Sequence, residues 1–200
     1  MAAPGPAFIG LSGAIASGKS EALAALGRLG AATLSTDGVA HQLLEDPPTL
    51  DRLVERWGPE VAPDGRVDRE RVAAMVFNDP AELQWMESVM HPLVGERVVR
   101  WRTELNADSA LAVVEVPLLF EAGMETFFDA TLVVVAGDAR RAKWAGARGT
   151  GEVAGRAGRQ LTESEKAERA TFVVENDGTL ADLEVALREL WPALVAVRAA

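Results

Sequence analysis

Two hundred residues, none of them cysteine, carry a formal net charge of -10 and 48% hydrophobic side chains. That length suffices for one compact core burying on the order of 70% of the unfolded surface, and the missing thiols remove disulfides, thiolate catalysis and cysteine metal sites while fitting a reducing, cytoplasmic setting. The acidic balance argues against nucleic acid as a partner, no segment reaches the roughly 20 apolar residues of a membrane span, residues 1–6 lack the basic start of a signal peptide, and nothing calls for an obligate protein partner.

After a Pro/Gly-rich tail, the apolar run Ala7-Phe8-Ile9-Gly10-Leu11 predicts a buried strand. Gly13-Ala14-Ile15-Ala16-Ser17-Gly18-Lys19-Ser20 follows, and a helix-like stretch opens with Ser20-Glu21-Ala22-Leu23. Strand, glycine-bearing loop and helix in that order make a phosphate-binding loop. The glycines let the backbone curl so that successive N–H groups face phosphate oxygens, and the helix adds its positive N-terminal end. Lys19 is expected at the β- and γ-phosphates and Ser20 on Mg²⁺. Composition sharpens the point: of 20 basic residues only Lys19, Lys143 and Lys166 are lysine. A compact ammonium between phosphates is a role that a broad guanidinium fills poorly.

Four further short apolar runs predict strands at residues 32–35, 110–116, 130–136 and 171–175, with helical segments between them. This is the alternation of an α/β fold, a five-stranded parallel sheet wrapped by helices. About 75 residues separate the second and third strands, far more than a simple crossover needs, so something is inserted there. The insert reads as helices over 39–44, 49–57, 68–77 and 80–105. A second insert, 138–169, holds a basic cluster: residues 139–160 carry Arg140, Arg141, Lys143, Arg148, Arg156 and Arg159 against Glu152 alone, interrupted by five glycines. Its charge suits a polyphosphate, and its glycines predict a mobile lid. The last segment, 180–197, places Leu183, Leu187, Leu190 and Leu194 on one helix face.

Ligands of such sheets sit at the carboxyl ends of the strands, which singles out a few polar residues. Asp37, after the second strand, is either a helix N-cap for a helix starting near Val39 or a carboxylate that takes a proton from an acceptor hydroxyl. Glu115 ends the third strand, where an acidic residue holds a metal-bound water, though Asp is the commoner choice. Beyond it, Pro117 stops the strand, Leu118, Leu119 and Phe120 form a hydrophobic wall with packing as their leading role, and Glu121 is a substrate contact or a solvated charge. Asn176-Asp177-Gly178 is a turn whose position would set backbone amides beside an adenine. His41 and His91 are the only histidines, neither with a metal-ligand partner at useful spacing, and His91-Pro92 reads as a structural turn.

Taken together these residues resemble the dephospho-coenzyme A kinase family over nearly the whole chain. The resemblance rests on the phosphate loop, Thr36-Asp37 through His41, Trp57-Gly58, Asp64-Gly65-Arg66-Val67-Asp68-Arg69, His91-Pro92, Val116-Pro117-Leu118-Leu119-Phe120-Glu121, Asp129, Arg148, Gln160, Lys166 and Asn176-Asp177-Gly178. It implies ATP and Mg²⁺ as cofactors and dephospho-CoA as the small-molecule substrate, phosphorylated on its ribose 3′-hydroxyl. It implies a nucleotide core of residues 1–36, 106–137 and 170–200, an acceptor-binding insert of 37–105 and a lid of 138–169. Asp37 matches the catalytic carboxylate, with Lys19 and Arg148 beside it in that role. Gly13 to Ser20, Glu21, Arg148, Asn176 and Gly178 fall on the nucleotide, and Ser20 and, through water, Glu115 on the metal. Asp37, His41, Arg69, His91, Pro117, Leu118, Leu119 and Glu121 fall on the acceptor. Glu21, Ser35 and Trp144 depart from the family pattern, each near ATP; another small-molecule kinase of the same class, or a nucleotide-binding module with weakened catalysis, is the alternative.

Overall fold

The computed structural model of the chain describes residues 5–106, 109–137 and 160–197. Trp144 and the members of the basic cluster in the expected lid, Arg148 among them, lie outside the described residues. The strands β1 (Ala7–Gly13), β2 (Ala32–Ser35), β3 (Leu111–Glu115), β4 (Ala130–Val135) and β5 (Phe172–Glu175) form one parallel sheet in the order β2-β3-β1-β4-β5. This is the α/β architecture that the alternation of runs predicts. β1 is buried along its whole length, as a central parallel strand must be. It also runs two residues past the apolar stretch that announces it, to Gly13. Ser12 is tolerated there because its fully buried hydroxyl donates to the Pro117 carbonyl at 3.2 Å.

Alternation along β1 sorts its side chains between the faces. Ile9 and Leu11 join Leu26 of α1 (Lys19–Arg28) and Leu183, Leu187 and Leu194 of the last helix in one core cluster. Phe8 stacks with Phe128, ring centroids 5.0 Å apart. The strand order reverses on either side of β1, so its carboxyl end opens at the point where these sheets bind ligands.

The chain forms two compact units, Met1–Ser35 with Glu104–Ala200, and Thr36–Thr103. The second is helical: α2 (Thr36–Leu44), α3 (Pro47–Trp57), α4 (Arg69–Asn78) and α5 (Pro80–Glu104). Asp68 caps α4, accepting from the Glu70 and Arg71 amides at 3.1 Å. Trp57 of α3 meets Trp85 of α5 edge to face at 5.0 Å. Glu82 accepts from Arg56 at 2.7 and 3.0 Å and from the Trp57 indole at 2.7 Å. The Arg56 guanidinium first, then the indole N–H, hold the Glu82 carboxyl below the usual carboxylate range.

Two local readings of the sequence do not hold. The pair His91-Pro92 is not a turn: both residues lie inside the 25-residue helix α5. Proline costs that helix the N–H that would bond the carbonyl one turn back, and the surrounding helix continues regardless. The helix after β2 begins at Thr36, not near Val39, so Asp37 lies within its first turn instead of capping it. No helix among the described residues is long and apolar enough to cross a membrane.

In the first unit, α6 (Glu163–Arg169) and α7 (Leu180–Ala196) complete the described helices. Both begin with reciprocal capping boxes, Thr162 with Glu165 and Thr179 with Asp182.

Candidate active site

β1 delivers the chain into the loop at Gly13, and α1 takes it up at Lys19. Between them Ser17 N–H donates back to Ala14 O at 3.2 Å, which closes the curl. Ala16 adopts a left-handed φ of 62° and Gly18, the N-cap of α1, one of 97°. Left-handed residues alternating with right-handed ones turn consecutive N–H groups toward one concave side, which is how a backbone binds an anion. For Ala16 that conformation costs about 1–2 kcal/mol. Ala16→Gly should therefore raise the stability of the fold by up to about 1 kcal/mol, measured as an upward shift of the urea midpoint at unchanged slope.

Lys19 reaches over the loop, its Nζ donating to Gly13 O at 3.1 Å and Ala14 O at 2.8 Å. Ser20 Oγ donates to Glu115 Oε1 at 3.4 Å. Glu115, 6% exposed at the end of β3, is registered between Leu11 of β1 and Ser35 of β2. Ammonium, hydroxyl and buried carboxylate thus converge beside the loop. Ala14 is buried, Ile15 and Ala16 are half-buried, and Glu21 lies half-buried in the first turn of α1. Its carboxylate faces the side of Gly18 where a side chain would project, 3.7 Å from that position.

Asn176 stands differently from its expected place. Its backbone N–H is spent on Val135 O at 2.8 Å, extending the β4–β5 ladder, and so is not free for an adenine. The side chain is 2% exposed and donates from Nδ2 to Ser17 O at 2.8 Å. Gly178 remains in an exposed turn ahead of the Thr179 cap.

In the loop after β3 the expected packing holds for Leu119 and Phe120, and Glu121 finds a partner that the local sequence does not announce. Leu119 is fully buried, and its Cδ1 lies 2.5 Å from where a Cβ on Gly10 would sit, so it fills the core above β1, the packing role expected first of it. Phe120 is likewise buried, while Pro117 and Leu118 are half-buried. Glu121 is no solvated charge: it pairs with fully buried Lys166 of α6 at 3.0 Å and accepts from Leu161 N–H at 2.8 Å. Lys166 Nζ also donates to Pro117 O at 3.0 Å, the same carbonyl that Ser12 contacts. Arg169 adds an ion pair to Glu125 and lies over the Phe120 ring. Helix α6 falls within the bounds expected of the lid, yet these contacts fix it to the loop after β3.

In the helical unit, Asp37 is exposed in the first turn of α2, where a negative charge complements the helix N-terminus, and His41 is exposed in its last turn. His91 is exposed on α5. Arg69 opens α4 and, with Arg66, Glu45, Asp64, Val67 and Asp68, lines a cavity of about 470 Å³. No cluster of three or more His, Asp or Glu side chains among the described residues forms a metal cage.

The sequence model of dephospho-CoA kinases matches residues 7–182. The chain belongs to the dephospho-CoA kinase family. It is 39% identical over 186 residues to a dephospho-CoA kinase of Thermus thermophilus, spanning 92% of this chain and 89% of the relative. The corresponding kinase of Deinococcus radiodurans is 38% identical over 193 residues, spanning 92% and 93%. The crystal structure of TT1252 from Thermus thermophilus superposes with a TM-score of 0.79 at 38% identity, over 96% of this chain and 99% of that one.

For a member of the dephospho-CoA kinase family, Asn176 and Lys166 stand among the residues of the resemblance, but the contacts of both side chains escape local sequence reasoning. The Asn176 amide is 159 positions from its partner. For Lys166, scarcity as a residue type was the available signal: 20 basic residues include three lysines, and a lysine kept in an arginine-rich chain marks a site too tight for a guanidinium.

Proposed function

We propose that this chain transfers the γ-phosphoryl group of ATP to the ribose 3′-hydroxyl of dephospho-CoA, giving coenzyme A and ADP, the last step of coenzyme A biosynthesis. The bond from the γ-phosphorus to the bridging oxygen of ADP breaks as a bond to the ribose oxygen forms, and the hydroxyl proton leaves to a carboxylate. The observation that carries this reading is the phosphate loop at the end of the central strand, with Lys19 and the Ser20–Glu115 pair beside it, in a chain of this family.

Lys19 exchanges its bonds to Gly13 O and Ala14 O for phosphate oxygens, supplying charge where it builds up in the transition state. A hydroxyl and a carboxylate, both hard oxygen donors, fit Mg²⁺, which keeps most of its waters and takes few protein ligands. When bound there, the ion neutralises phosphate charge. Asp37 orients the ribose hydroxyl and accepts its proton. It lies two residues beyond Ser35 in the chain, and Ser35 is registered beside Glu115. The helical unit takes the acceptor, with Arg69 and Arg66 beside their cavity, and Arg148 supplies a further cation to the triphosphate.

Purified protein with Mg-ATP should release ADP with dephospho-CoA, and not with nucleoside monophosphates or small hydroxy acids, and the product should carry one added phosphoryl group. ATP binding by calorimetry without ADP release from any acceptor would instead favour a nucleotide-binding module. Glu21 gives a second test. Like charges about 4 Å apart repel by about 1 kcal/mol in bulk water and by more near a protein surface, so Glu21→Thr should lower the KM for ATP by about fivefold or more and leave that for dephospho-CoA unchanged.

A further inference from the structure

Two buried polar atoms at the phosphate loop, Ser17 Oγ and Asn176 Oδ1, find no hydrogen-bond partner among the described residues. A folded chain tolerates such atoms where the group they belong to serves something else. For Asn176 that service is legible. Ser17 O can only accept, so the atom facing it at 2.8 Å must be the amide nitrogen. In a trans peptide the C=O and the following N–H point in opposite directions. Holding Ser17 O toward Asn176 therefore turns the Gly18 N–H the other way, away from Asn176.

The fit is reciprocal. Gly18 has a left-handed φ of 97°, and any side chain there would overlap the Asn176 amide nitrogen. The bare glycine and the asparagine occupy one space between them. Asn176 is itself anchored, its own N–H on Val135 O at 2.8 Å, with Gly137 N–H donating to the adjoining Asp177 at 2.6 Å. A brace held by the sheet can dictate the orientation of a loop peptide; one on a loose turn could not.

The geometry points to Asn176 as a positioning residue, which through its side-chain amide fixes the Ser17–Gly18 peptide so that Gly18 N–H is presented to phosphate before any ligand arrives. The inference rests on the phosphate-binding reading of the loop. It assigns Asn176 no contact with the adenine, and so separates binding of the phosphate chain from recognition of the base.

The test measures binding of ATP and of inorganic tripolyphosphate, which has no base, to the full chain by calorimetry, alongside steady-state constants and urea midpoints. Asn176→Ala should weaken both ligands by the same factor, about tenfold, the effect of one buried hydrogen bond. The KM for dephospho-CoA should stay within about twofold, since the brace does not reach the acceptor. Asn176→Leu, which fills the space without a donor, should be no better than alanine; Asn176→Asp, of the same shape but an acceptor facing Ser17 O, should be worse. The proposal is overturned if ATP weakens while tripolyphosphate does not, if leucine restores wild-type affinity, or if folded Asn176→Ala binds both ligands as wild type does. A wild-type chain that binds neither ligand would sink the phosphate-loop reading itself and the brace with it, a result distinct from any of these.

Discussion

Asp37→Asn should reduce kcat by at least about a hundredfold, within the roughly 10²–10⁴ attributed to a positioned general base, while the dissociation constant for ATP stays within about twofold. Asparagine keeps the shape and the hydrogen-bonding reach of aspartate but cannot take up the proton that the ribose hydroxyl must lose. The carboxylate lies exposed in the first turn of α2, where its helix-dipole contribution is about 0.3–1 kcal/mol, too little for its loss to unfold the helical unit. Stopped-flow phosphoryl transfer with saturating ATP and dephospho-CoA separates the cases. A slow chemical step at normal ATP affinity is expected; collapsed ATP affinity with a normal chemical step would assign Asp37 to structure.

The second large effect concerns stability. Lys166→Met should destabilise the fold by about 3–5 kcal/mol, the cost of stranding one member of a buried ion pair, against a total of about 5–15 kcal/mol for a typical domain. Glu121 would keep only the Leu161 N–H for its Oε1, and Pro117 O would lose one of its two donors. The side chains of Lys166 and Glu121 are 0% and 14% exposed, so water offers little relief. Removing both charges is a different matter. Lys166→Met with Glu121→Leu should recover most of the loss or exceed wild-type stability, because well-packed apolar groups replace buried pairs at little or no cost. Urea denaturation of the single and double variants measures this, and equal losses in both would show that the pairing is not what matters. Lys166→Arg should not rescue, since the larger planar group has no room between Pro117 and Glu121.

Several features of this molecule are legible in short stretches of its sequence. The phosphate loop is, since eight consecutive residues, Gly13 to Ser20, supply its backbone amides, its ammonium and its hydroxyl. The strands are, because central parallel strands must be apolar on both faces and so appear as uninterrupted runs. The final helix is, through its leucine spacing: Leu183, Leu187 and Leu194 are indeed buried. Glu115 is legible for another reason, as the acidic residue at the end of the third strand where phosphate-loop proteins carry one.

Where local chemistry and context disagree, context prevails. The pair His91-Pro92 reads locally as a turn, yet α5 passes through it, as the helical run over 80–105 predicts, because one missing hydrogen bond is small beside the bonds and packing of a 25-residue helix. Glu121 reads as a substrate contact or a solvated charge, but Lys166 takes it into an ion pair, while Leu119 packs into the space that bare Gly10 leaves.

Periodicity and short motifs carried the sheet, the loop and the kind of ligand it takes, since each arises from neighbours along the chain and from the two faces of one element. The partners of Asn176 and Glu121, and the burial of Lys166, came from elsewhere: Asn176 meets Ser17 across 159 positions, and Pro117 accepts from Lys166 across 49. A hydrogen bond between residues so far apart depends on where the folded sheet brings them, and no local pattern of side chains encodes that distance.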